Sequence, residues 1–106
     1  SVKESLKADG MVVVQSESPW YKQEFVKGIY QKLGKSFRTV LPYIAPIPTY
    51  PRGLWSWTIA SNLSQKDMIF NENRFSKVEK SLNYLTKETA HNIFVIPPFL
   101  RKKLNI

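Results

Sequence analysis

Two short segments hold the residue types from which a ligand site could be built. Gln15 and Glu17 are the first polar groups to leave the apolar run Met11-Val12-Val13-Val14. In open α/β sheets, ligands bind beyond the carboxyl ends of the strands. An amide and a carboxylate at that place form either a donor/acceptor pair aimed into a cleft or an ordinary strand-to-helix loop. The second segment is Thr49-Tyr50-Pro51-Arg52-Gly53-Leu54-Trp55, where Pro48 and Pro51 bracket Tyr50 and stiffen the chain. A stiff loop carrying Tyr50 and Trp55 suits a ligand wall, because aromatic faces pack methylene groups and attract cations at roughly 0.5–2 kcal/mol per contact. The other reading is an aromatic cluster packing a sheet corner. Trp57 is assigned to such packing; for Trp55 the residues alone favour neither.

Other chemistries are poorly supplied. The 106 residues contain no Cys and one His, which excludes a disulfide framework, a thiolate metal site, a Cys nucleophile and a multi-histidine metal site within the chain. His91 has no Ser or Asp arrangement of triad type and reads as a surface or tail-packing residue. The glycines at 10, 28, 34 and 53 match no phosphate-cradle spacing. A net charge of +8 raises nucleic acid as a partner, but the Lys and Arg residues are spread along the chain, which fits a solvated exterior better. The absence of Cys agrees with a reducing compartment. No apolar run reaches ~18 residues, so no membrane span is expected.

The elements that must position these residues follow from periodicity. Ser1 to Ala8 reads as the end of a helix, as if the chain continued a longer one, stopped by Asp9-Gly10 with Gly10 free to take positive φ. Met11 to Val14 is apolar on both faces and suits an interior strand of a covered, mostly parallel sheet. Ser18-Pro19 offers a helix start, and Tyr21 to Phe37 is the clearest helix, with Phe25, Val26, Ile29, Tyr30, Leu33 and Phe37 on one stripe. Arg38 to Pro48 reads as an edge or irregular strand, interrupted by Pro42, Pro46 and Pro48. Leu54 to Ser61 alternates Trp55, Trp57 and Ile59 against Ser56, Thr58 and Ala60, and is expected to pair antiparallel with the strand before it. Asn62 to Asn73 reads as a polar linker, Arg74 to Leu82 and Thr86 to Ile93 as short helices, and Phe94 to Leu100 as an apolar tail closed by Arg101-Lys102-Lys103. The predicted architecture is α/β: one interior strand, a crossover helix, a terminal antiparallel strand pair and a short helical tail. That is the C-terminal half of an open sheet rather than a whole doubly wound domain.

A family resemblance covers nearly the whole chain. Asp9-Gly10-Met11-Val12-Val13-Val14-Gln15-Ser16-Glu17-Ser18-Pro19-Trp20 resembles the strand and following loop of the spermidine synthases, which are polyamine aminopropyltransferases. Ile47-Pro48-Thr49-Tyr50-Pro51-Arg52-Gly53-Leu54-Trp55 resembles that family's Ile-Pro-Thr-Tyr-Pro-Ser-Gly loop. Tyr84, and Phe94-Val95-Ile96-Pro97 with Phe99, are similar to its C-terminal signature.

The resemblance implies a class I methyltransferase-like Rossmann sheet, of which residues 1–106 are the C-terminal portion of the catalytic domain. The family's N-terminal β domain, its Gly-rich adenosyl-binding half and its catalytic aspartates then lie outside this sequence. No catalytic residue falls within it, and the chain alone is expected to be inactive. The implied reaction moves an aminopropyl group from decarboxylated S-adenosylmethionine, a co-substrate rather than a cofactor, to a diamine, usually putrescine. Spermidine and methylthioadenosine are the products. The matched substrate-binding positions are Gln15, Glu17, Tyr50, Pro51 and Trp55, with Trp20 at the end of the first segment. A cytoplasmic homodimer or homotetramer is the family default. Two departures stand out: Arg52 replaces the loop's usual Ser, and Ala90 falls where the family often has His, with His91 one place later.

The implied roles make physical sense. Both substrates are cations, so their ammonium groups need carboxylates or polar acceptors when taken from water. The attacking amine must be neutral, and a free alkyl amine has a pKa near ~10.4, so the site must lower it or supply a base. Three other readings compete: a non-catalytic polyamine-synthase-like regulatory or binding protein, a basic nucleic-acid-binding module, and a class I methyltransferase of another kind.

Overall fold

The computed structural model describes residues 1–50 and 52–106. Its centre is a three-stranded sheet of β1 (Met11–Glu17), β2 (Thr39–Pro46) and β3 (Leu54–Ser61), in the order β1-β3-β2. Both pairings are antiparallel. β3 is therefore central, and the expected β2–β3 pair is present. The partner of β1 within this chain is β3, which runs antiparallel to it, and the flank away from β3 carries no strand among the described residues; Met11 is 41% and Val13 49% exposed. An apolar run reports only that both faces can be covered, not which way the neighbouring strand runs.

The two faces of β3 divide as its alternation predicts, with the small residues inward. Ser56, Thr58 and Ala60 are buried, as is Ser61 at the end of the strand. Their hydroxyl groups are satisfied across the sheet: Ser16 Oγ and Thr58 Oγ1 are 2.7 Å apart, Ser56 Oγ donates to the Glu17 carbonyl at 2.7 Å, and Ser61 Oγ donates to the Gly10 carbonyl at 2.7 Å. A buried hydroxyl without such a partner would cost about 1–3 kcal/mol. Over this face lies the core, built from Val26 of α2 (Gln23–Gly34), Ile96, and Leu100 and Leu104 of a C-terminal helix Pro98–Leu104, with Ile44 and Ile106 packed against it.

Several boundaries move for identifiable reasons. The N-terminal helix α1 spans only Val2–Ser5, closed by a capping box between Ser1 and Glu4. Gly10 does not take positive φ; a Cβ there would meet the Lys7 carbonyl oxygen at 3.0 Å, so closeness rather than handedness favours glycine. Ser18-Pro19 does not begin α2. Buried Ser18 instead accepts at Oγ from the Tyr21 amide, closing a turn, and the helix starts at Gln23. Phe25, counted in the apolar stripe, is 51% exposed, whereas Val26 is 1% exposed.

The 62–73 linker contains α3 (Gln65–Ile69), capped by Ser64, and the start of α4 (Glu72–Val78), capped by Asn71. The expected Thr86-capped helix is α5 (Lys87–Asn92). The apolar tail is mostly the helix α6 (Pro98–Leu104), ended by Asn105 at φ 55°. Its signals were present: Pro at the first turn, Leu100 and Leu104 four apart, and Asn at a left-handed stop. None of the described helices is long and apolar enough to cross a membrane.

Leu100→Ala is expected to destabilise the chain by roughly 2–5 kcal/mol, read as a lower urea midpoint at unchanged slope. Phe25→Ala, on the exposed side of the same helix pair, should stay within about 0.5 kcal/mol.

Candidate functional site

The loop end of the sheet, where β1 and β2 finish and β3 begins, holds most of the sequence-selected residues. β1 is bent there by a register shift between Gln15 and Glu17, and Glu17 sits at φ 68°. A left-handed backbone costs a residue with a Cβ about 1–2 kcal/mol, so the surroundings must impose it. The hydrogen bond from buried Ser56 Oγ to the Glu17 carbonyl is one such restraint. The effect is to end pairing and re-aim the chain at the rim of the sheet, a common use of a bulge.

Opposite it, the loop between β2 and β3 closes on itself. The Ile47 amide donates to the Gly53 carbonyl at 2.7 Å, Tyr50 to Ile47 at 3.0 Å and Gly53 to Tyr50 at 3.2 Å. Arg52 and Gly53 both lie at φ 73°. Gly53 has open space where a Cβ would stand, so glycine is favoured there by the dihedral alone. Tyr50 packs on Trp55 with ring centroids 4.5 Å apart. The Trp55 indole Nε1–H is buried and meets no acceptor among the described residues.

Strand register joins the two segments. Gln15 is paired with Trp57 across the β1–β3 ladder, and Tyr43 is paired with Trp57 across the β2–β3 ladder. Directly paired residues share a sheet face, as do residues two apart on one strand. Gln15, Trp57, Tyr43 and Trp55 therefore stand on the face away from the core, and Tyr50 continues that row through Trp55. Trp57, assigned above to an aromatic packing cluster, stacks on Tyr43 at 5.4 Å and 14°, and Tyr43 in turn packs against Phe94 at 5.5 Å; the cluster stands on the face away from the core. Beside them a cavity of about 300 Å³ is lined by Tyr43, Pro46, Ile47, Trp57, Tyr84 and Ile93. Tyr43 carries no sequence signal of its own, because its place appears only when the register sets it against Trp57.

Glu17 brings a carboxylate to the rim and makes no ion pair among the described residues. Trp20 packs edge-on against Phe99 at 5.6 Å, with Lys103 Nζ 5.3 Å above its ring, so its aromatic neighbour is in α6 rather than in the Tyr50–Trp55 pair. Pro51 lies outside the described residues. Arg52 is exposed, its guanidinium 3.4 Å from the Tyr21 ring centroid. Ala90 is buried, and His91, exposed, places its ring 5.3 Å from Phe70. The site thus offers an aromatic wall, a primary amide and one carboxylate. These can hold an elongated apolar guest with charged or polar ends, but they form no general-base constellation.

The chain is similar to known proteins over nearly its whole length. The family model described as the spermine/spermidine synthase domain matches residues 1–68. The polyamine aminopropyltransferase of Bacillus mycoides (strain KBAB4) is 34% identical over 99 residues, covering 93% of this chain and 35% of that protein. That of Bacillus subtilis (strain 168) is 33% identical over 99 residues, with the same coverage. The crystal structure of spermidine synthase from Thermotoga maritima superposes with a TM-score of 0.86 at 32% identity, covering 98% of this chain and 37% of that one. A spermidine synthase in complex with the transition-state analogue AdoDATO matches with the same TM-score and identity. The chain spans about 35% of the length of the curated relatives it matches.

Burial pushes the Tyr43 phenol above its ordinary pKa of 10.0. The folded state therefore favours the neutral phenol. Its contribution is complete below the unfolded value and is lost as pH rises through the higher folded one. Tyr43→Phe should remove a late-ionising component from the alkaline absorbance titration and lessen the fall in stability above about pH 10.

Proposed function

The chain belongs to the spermine/spermidine synthase family, and we propose that it forms the amine-side wall of an aminopropyltransferase active site. In this reading residues 1–106 are the C-terminal portion of the catalytic domain. The intact enzyme transfers an aminopropyl group from decarboxylated S-adenosylmethionine to putrescine. The neutral amine nitrogen attacks the methylene bonded to the sulfonium, the carbon–sulfur bond breaks, and methylthioadenosine leaves. The nitrogen then sheds a proton to an acid–base group from the part of the enzyme that this chain does not span. A cytoplasmic location and a homodimeric or homotetrameric assembly belong to the same reading.

The observation that carries the proposal is the row Gln15–Trp57–Trp55–Tyr50 at the loop end of the sheet. Its rings pack the methylenes of a thin diamine and attract its cationic ends. The Gln15 amide and the Glu17 carboxylate accept from an ammonium or a neutral amine. Because the wall lacks a base of its own, binding and orientation are its share of the rate, through in-line placement of nitrogen and carbon.

The 106-residue chain alone should give no transfer. In a chimera where it replaces the matching third of the Thermotoga maritima spermidine synthase, transfer to putrescine should be retained. There, Tyr50→Ala and Gln15→Ala should each raise KM for putrescine about tenfold or more, equivalent to ~1.4 kcal/mol, with methylthioadenosine affinity unchanged. Equal losses for both ligands would contradict an amine-side role.

A further inference from the structure

The two segments flanking this site are tied together by a contact that neither strand pairing nor the core requires. Arg52 Cζ stands 3.4 Å from the Tyr21 ring centroid. Tyr21 belongs to the turn that follows Glu17, and Arg52 to the loop that carries Tyr50. Both side chains are exposed, and Arg52 makes no ion pair among the described residues. The Arg52 backbone stands at φ 73°, a conformation that disfavours any residue with a Cβ.

We propose that Arg52 and Tyr21 are positioning residues whose cation–π contact clasps the Tyr50 loop to the β1–α2 turn and so sets the affinity for the amine. The proposal rests on the reading that Tyr50 faces the amine. A guanidinium suits the task because it stays charged at any working pH and stacks flat on a ring. The contact has a second effect. Held on Tyr21, the cation is parked; released, it is a mobile positive charge beside a pocket that receives ammonium groups, and like charges oppose binding. Removing Tyr21 therefore does two things, loosening the loop and freeing the charge. Removing Arg52 does only the first.

This asymmetry separates the clasp from a merely structural contact. In the chimeric enzyme, Arg52→Ser should raise KM for putrescine roughly two- to fivefold, the range of an exposed cation–π contact, at unchanged kcat. Tyr21→Leu should raise it further, and the Tyr21→Leu/Arg52→Ser double variant should return to the Arg52→Ser level. Tyr21→Phe, which keeps a ring beneath the guanidinium, should stay near the parent value. In the 106-residue chain itself, the Arg52 side-chain protons should show a ring-current upfield shift by NMR that Tyr21→Leu abolishes. Tyr50→Ala serves as the control on the underlying reading. If Tyr50→Ala raises KM while Tyr21→Leu and Arg52→Ser do not, the clasp is overturned and the amine site stands. If Tyr50→Ala has no effect on KM, the site assignment falls. Unshifted Arg52 protons in the parent chain would overturn the clasp by themselves.

Discussion

Everything in this chain depends on the central position of β3. A strand paired on both sides has no freedom to turn over, so its alternation becomes a sorting rule for the whole molecule. Ser56, Thr58 and Ala60 go inward, where small size lets the helices approach and where each hydroxyl finds an oxygen in β1. Trp55, Trp57 and Ile59 go the other way, into a row that a core-facing strand would have hidden. Polarity alone would have put the tryptophans inside. Packing against Val26, Leu100 and Leu104 reverses that, because apolar volume already comes from the helices and only small partners fit between.

The division of labour follows from this arrangement. The core side fixes where the strand ends lie, and the rim side carries the groups that meet a guest. Two non-glycine residues in left-handed backbone, Glu17 and Arg52, stand on the two segments that bound the rim. Strain of this kind persists where the surroundings over-determine it, and it clusters at sites of function. The restraints are visible: a buried serine holding the Glu17 carbonyl on one side, and a self-bonded loop with an aromatic pair on the other.

Local patterns were readable in the sequence wherever a local force sets the outcome. The alternation of Leu54 to Ser61, the Thr86 cap and the antiparallel β2–β3 pair follow from nearest neighbours and period. Pairing of β1 with β3 does not, since it closes a loop of some forty residues and leaves no trace in either segment alone. That pairing is what brings Gln15 beside Trp57, so the selected residues were legible as two groups and not as one. The helix α6 overlaps the stretch read as an apolar tail, because its seven residues are too few for a helical period to stand out; Pro98 opens its first turn. Arg52 marked itself by charge, but its partner Tyr21 had no signal of its own.

The free flank of β1 has a practical consequence. Along Met11 to Glu17 the outer row of amides and carbonyls meets no strand among the described residues, and the uncharged Met11 and Val13 stand beside it. Natural edges are usually blunted by lysine, proline or an early bend; here the bend arrives only at the last residues of the strand. Under the proposed function this flank faces the part of the enzyme outside residues 1–106, so it is a seam for a further strand and not an outer border that needs blunting. A strand supplied there would find its hydrogen-bond partners already laid out along β1.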